Sequence, residues 1–233
     1  MALQGVDLSV SSGEFVGLLG QSGAGKTTLL RLLNGALRPD AGRIEVLGNE
    51  VTRLRRGELR EYRRHVGVVY QQHGLVPSLS VLHNVLLGAV GSMGGARSLL
   101  SLLYVPSKQV HAVSQTLDEL GVNVPLRRRA GDLSGGQQQR VAVARSLWQQ
   151  PSLLLADEPV ASVDAETAGA ILQALRRRNE QEGLTVLVSL HQRELALRYC
   201  TRVLVLKEGY VVYDGVPDGI APFALPATDG YQG

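Results

Sequence analysis

Eight residues, Gly20-Gln21-Ser22-Gly23-Ala24-Gly25-Lys26-Thr27, restrict the fold of this chain more than any other stretch. An apolar, β-rich run over 14–20 leads into them, and a helical pattern leaves them to about residue 37. A glycine-rich turn between a strand and a helix matches the G-x4-G-K-[ST] pattern. A turn with these glycines that binds nothing is the plain alternative, but the strand-to-helix setting argues against it. Glycines let backbone N–H groups converge on phosphate oxygens, and the helix start adds the positive end of its dipole. In that frame Lys26 reaches the β- and γ-phosphates of a nucleotide and the Thr27 hydroxyl ligates Mg²⁺. Thr28 adds a hydroxyl contact to the α-phosphate. Gly20 through Thr28 is therefore the expected phosphate cradle.

The rest of the chain alternates short apolar runs with longer helical patterns, the layout of a mainly parallel sheet covered by helices. Further strands are predicted over 43–47, 66–71 and 185–190. The continuous apolar run 152–156 suits a strand buried on both faces. Residues 203–206 and 210–213, around Glu208-Gly209, read as a hairpin. A helix is predicted over 164–181. Residues 78–121 turn helical, broken by glycines at 91–95, so a helical subdomain spanning about 72–150 is expected, with a loop near 91–96. The tail from Val216, rich in Pro, Gly and Ala, is expected to be poorly ordered. The predicted fold is one α/β domain over 1–233: a mainly parallel sheet, an inserted α-helical subdomain and a small antiparallel β portion.

Composition narrows the classes. The one cysteine, Cys200, excludes an intrachain disulfide and fits a reducing compartment. No apolar run approaches the roughly 18 residues of a membrane helix. The first residues lack the charged and apolar regions of a signal peptide. A role at a membrane thus requires a partner to hold the chain there. Arginines come in runs: Arg53, Arg55, Arg56, Arg60, Arg63 and Arg64, then 127–129 and 176–178. With 24 basic and 21 acidic residues the net charge is only +3, and these runs read as solvated helix faces. No nucleic-acid partner is expected.

Leu153-Leu154-Leu155-Ala156-Asp157-Glu158-Pro159 places two carboxylates at the C-terminal end of the buried strand, where ligands collect in open α/β sheets. Asp157 is placed to hold Mg²⁺ through water beside Thr27, and Glu158 to act as general base for water attacking the γ-phosphate. A simple turn would also accept Asp-Glu-Pro; the phosphate cradle favours the catalytic reading. Shortly before that strand lies Leu133-Ser134-Gly135-Gly136-Gln137. Ser134 and Gln137 form a capping box. A cap does not need two glycines, however, and exposed N–H groups beside a serine hydroxyl make an anion site.

These residues resemble the signature loop of ABC ATPases, which are P-loop NTPases, and other motifs of that family occur in the expected order. The resemblance implies that Ser134, Gly135, Gly136 and Gln137 bind the γ-phosphate of ATP held by a second copy of the chain. Gln71 looks like the glutamine that contacts Mg²⁺ and water and senses a transmembrane partner. Ala161-Ser162-Val163-Asp164 looks like the loop crossing the dimer interface, with Val163 and Ala165 where Leu and Pro are usual. His191 resembles the histidine that contacts the γ-phosphate. The resemblance thus implies an ATP- and Mg²⁺-dependent ATPase working as a head-to-tail dimer. It would sit peripherally on the cytoplasmic face of the inner membrane, on permease subunits served indirectly by a substrate-binding protein.

Within the family, Tyr70-Gln71-Gln72-His73-Gly74, Leu190-His191-Gln192, Ala196-Leu197-Arg198-Tyr199-Cys200 and Tyr213-Asp214-Gly215 are similar to phosphonate importers. Importers of phosphite or phosphate share much of this pattern, and a soluble, non-transport ABC ATPase is the other alternative. One departure stands out. Family members carry an earlier strand and an aromatic residue that stacks on adenine, and neither is found ahead of residue 14. Two readings stay open: weaker base stacking, or a sequence that begins downstream of the family's usual start.

Overall fold

This computed structural model describes residues 2–90, 104–161 and 163–223. The expected loop near 91–96, Ser162 and the end of the tail lie outside those residues. Among the described residues six strands form the central sheet: β1 (Phe15–Leu19), β4 (Val66–Val69), β5 (Leu153–Ala156), β6 (Thr185–Ser189), β7 (Arg202–Lys207) and β8 (Tyr210–Gly215). Their order is β4-β5-β6-β1-β7-β8. The first five run parallel, and β8 returns antiparallel to β7 as the expected hairpin.

β1 shows why the sheet sits at the centre. All five of its residues are buried, and they alternate between two cores. Phe15 and Leu19 pack in one with Leu117, Val141, Leu154 and Ile171. Val16 and Leu18 pack in the other with Leu29, Leu30, Val51 and Tyr62. That is the period-2 geometry of a strand covered on both faces. Gly17, between them, leaves room for Cys200: a Cβ there would lie 2.8 Å from its Sγ.

Helix α1 (Lys26–Leu33) follows the cradle and ends earlier than residue 37. Asn34 caps it, its side-chain oxygen accepts the Ala36 N–H at 2.8 Å, and Gly35 takes a left-handed turn. The strand predicted over 43–47 shrinks to β2 (Glu45–Val46), paired antiparallel with β3 (Asn49–Glu50) outside the main sheet. Leu47 and Gly48, both at positive φ, turn the chain back at once. The first arginine run forms α2 (Arg56–Tyr62), a helix that the periodicity of the sequence does not announce. The Tyr62 hydroxyl donates to the Leu33 carbonyl, docking α2 on α1.

Three helices pack beside one another: α3 (Val81–Val90), α4 (Ser107–Glu119) and α5 (Gly135–Trp148). Then α6 (Ala165–Glu182) and α7 (Arg193–Tyr199) complete the cover. The tail differs from expectation at its start. Residues Pro217–Phe223 form a 3-10 turn, and Ile220 is fully buried in the first core. Burial of that one isoleucine outweighs the breaker-rich composition around it. Among the described residues no strand precedes Phe15; Leu3, Leu8 and Val10 instead pack against the second core as irregular chain.

Candidate active site

The site forms where β1, β4, β5 and β6 end, because parallel strands deliver all their C-terminal loops to one edge of the sheet. The cradle leaves β1. Gly20 cannot carry a side chain, since a Cβ would sit 2.4 Å from the Leu206 carbonyl. Gly23 and Gly25 also adopt positive φ, which suits glycine. Helix α1 begins at Lys26 with no acidic residue in its first turn to offset its positive dipole end.

Lys26 is buried, and its Nζ donates to the carbonyls of Gly20 (2.6 Å) and Gln21 (3.2 Å). Burial lowers its pKa, while the negative charges of Glu158 and Asp157 push it back up. The charges of the acidic pair thus act on the lysine of the cradle.

Asp157 and Glu158 follow β5. The Asp157 N–H donates to Val69 and so continues the β4–β5 pairing for one more residue. Glu158 then turns with φ at 50°, a left-handed value rare for a residue with a Cβ. Its carboxylate is gripped at both oxygens: Gln71 Nε2 donates to Oε2 at 3.0 Å, and His191 Nε2 lies 2.5 Å from Oε1. Gln71, Glu158 and His191 are thus brought together. Arg145, on α5, donates to the carbonyls of His73 and Gly74 and braces the loop that carries Gln71.

Three oxygen-bearing side chains at this edge of the sheet are of a kind that Mg²⁺ binds. Thr27 offers a hydroxyl and Asp157 a carboxylate, and Gln71 keeps its amide oxygen while its nitrogen serves Glu158. Among the described residues no three His, Cys, Asp or Glu side chains gather into a cage. A sparse, all-oxygen set is what Mg²⁺ uses when phosphates and water supply its other ligands.

The structure does not bring Ser134 to the cradle of its own chain. It caps α5: its Oγ accepts the Gln137 N–H at 3.4 Å, and its own N–H donates to Gln137 Oε1 at 3.1 Å. Beside it Gly135 faces open space. Asp164 spends both oxygens on its own helix, accepting the Thr167 N–H and hydroxyl, each at 2.8 Å. Those bonds hold its carboxyl below the usual range.

One polar residue escapes a reading of the sequence alone. Ser189, the last residue of β6, is fully buried beside the acidic pair. The available signal was the one hydroxyl in the apolar run Val186–Leu190, two positions before His191.

Comparison with known proteins identifies the family. Residues 3–161 match the ABC transporter family model. The phosphonates import ATP-binding protein PhnC of Rhizobium johnstonii is 43% identical over 230 residues, covering 99% of this chain and 81% of that protein. PhnC of Escherichia coli K12 is 47% identical over 219 residues, covering 92% and 83%. Among solved structures, the dimeric bacterial ABC transporter cassette MJ0796 superposes with a TM-score of 0.83 at 33% identity, covering 93% of this chain and 90% of that one. CbiO1 of Clostridium perfringens, part of the transporter complex cbiONQ, gives 0.79 at 30% identity, covering 95% and 84%. The chain belongs to the ABC transporter family.

Proposed function

We propose that this chain is the ATP-hydrolysing subunit of an importer for phosphonates or a related oxyanion. One observation carries the chemistry: the Glu158 carboxylate is held by Gln71 and His191 at the same edge of the sheet as the phosphate cradle with its buried Lys26. Glu158 accepts the proton of the attacking water, a role worth roughly 10²–10⁴ in rate. Lys26 and the N–H groups of the cradle hold the β- and γ-phosphates, and His191 contacts the γ-phosphate. Mg²⁺, held by Thr27, Asp157 and Gln71, supplies positive charge against the phosphate oxygens.

Ser134, Gly135, Gly136 and Gln137 complete the site of a second copy of the chain. Within its own chain Ser134 bonds to its own helix start, and its glycine neighbour is open. The dimeric cassette MJ0796 supports this assembly. A two-fold pair then has two equivalent sites. No helix among the described residues is long and apolar enough to cross a membrane, so permease subunits anchor the pair at the cytoplasmic face of the inner membrane, fed by a substrate-binding protein. The names of the PhnC relatives support phosphonate as cargo.

The test is growth of the source cell, with this gene deleted, on methylphosphonate as sole phosphorus source. Growth should fail on methylphosphonate but not on phosphate, and return with the wild-type gene but not with Glu158→Gln. Undiminished growth on methylphosphonate would remove phosphonate as the cargo.

A further inference from the structure

Ser189 sits in a position that an apolar residue would ordinarily fill. It closes β6, the other residues of that strand are buried, and its own exposure is 0%. Burying a hydroxyl is unfavourable unless it is hydrogen-bonded. Both of its bonds that cross to the acidic pair are made by the one oxygen. Oγ donates to Asp157 Oδ1 at 3.0 Å and accepts the Glu158 N–H at 2.7 Å. An ionised carboxylate only accepts, so Asp157 fixes the direction of the hydroxyl proton and leaves the lone pairs of Oγ for Glu158.

That bond falls where the sheet has stopped helping. The Asp157 N–H is the last of this segment to donate to β4, and Glu158 then turns at φ 50°. A side chain with a Cβ stays in such a conformation only when its surroundings impose it. The turn sets the direction in which the Glu158 carboxylate meets Gln71 and His191.

We propose that Ser189 is a positioning residue for hydrolysis, whose hydroxyl holds the Glu158 backbone in the left-handed turn that aims its carboxylate. The inference rests on Glu158 acting as the base. Removing the hydroxyl leaves the Glu158 N–H without its partner, and the carboxylate then samples orientations that do not face water and the γ-phosphate. Binding of ATP, which depends on the cradle, is preserved.

The test uses the purified chain at concentrations that saturate dimer formation, comparing wild type, Ser189→Ala, Glu158→Gln and the double variant. Ser189→Ala barely changes volume, and its melting temperature is recorded alongside. We expect kcat to fall about 10- to 100-fold, with the KM for ATP within about threefold of wild type. In the Glu158→Gln background the same serine change should alter the residual rate by less than about threefold. A kcat within about twofold of wild type overturns the proposal, as does a KM rise with kcat unchanged. So does an equal loss in both backgrounds, which would mean that Ser189 acts without Glu158. Wild-type turnover in Glu158→Gln alone would instead remove the base, and the proposal with it.

Discussion

The imidazole of His191 and the carboxylate of Glu158 meet at 2.5 Å between Nε2 and Oε1, although 33 positions separate them in sequence. Gln71, 87 positions from Glu158, takes the second oxygen. The strand order explains both contacts. β5, which ends in the acidic pair, lies between β4, which leads to Gln71, and β6, which leads to His191. A residue two steps past the end of either neighbour therefore converges on the middle one.

Glu158→Gln keeps the size of the side chain but replaces one of its two acceptor oxygens with an NH2 donor and cannot accept a proton. Phosphate release should fall at least about 10²-fold. ATP binding and ATP-driven dimerisation, followed by gel filtration, should persist. Wild-type phosphate release in this variant would sink the assignment of the base.

Lys26→Ala separates binding from chemistry. The ammonium is buried at the cradle and makes its hydrogen bonds to loop carbonyls that a phosphate would replace with stronger, charge-assisted partners. Loss of that group should weaken ATP binding roughly 10- to 100-fold, read by titration calorimetry. Unchanged affinity would mean that the lysine serves only to close the loop.

Ser134→Arg tests the two-copy site. Ser134 and Gly135 lie at an open helix start, so the large cation should leave the monomer folded and its ATP affinity within about threefold. Dimerisation on ATP should be blocked, because the bulk falls where a partner's phosphate must approach. Sedimentation with and without ATP reads the difference; loss of ATP binding by the monomer would show the loop to be misplaced.

Much of this site was legible because it is built from local patterns. Gly20–Thr27 announces itself by spacing, and Ser134 with Gln137 by a capping box that the structure reproduces. Other features depend on contacts distant in sequence. The strand expected at 43–47 gave way to the Leu47-Gly48 turn, and the start of the tail packs through Ile220. Ser189 was hidden for the same reason: its partners are 31 and 32 residues away, and nothing in its own strand identifies them. The arginine run at 53–64 was legible as a solvated helix face, but not the Tyr62 within it, whose packing docks α2.

Gly88 carries the last prediction, about how α3 meets α5. A Cβ at this glycine would lie 2.0 Å from the Arg145 carbonyl oxygen, a backbone atom that no rotamer change can move aside. Arg145 also braces the His73-Gly74 segment beside Gln71, so displacing α5 should disturb that loop as well. Gly88→Ala gains about 1 kcal/mol of helix propensity but must force the two helices apart, an overpacking cost of typically about 1–3 kcal/mol or more. The net effect should be a melting temperature lowered by a few degrees. Turnover should fall more than ATP affinity, because α3 packs chiefly on α5, whereas the cradle extends from β1. A melting temperature equal to or above wild type, measured by differential scanning calorimetry, would show that the crossing has slack that this backbone contact excludes.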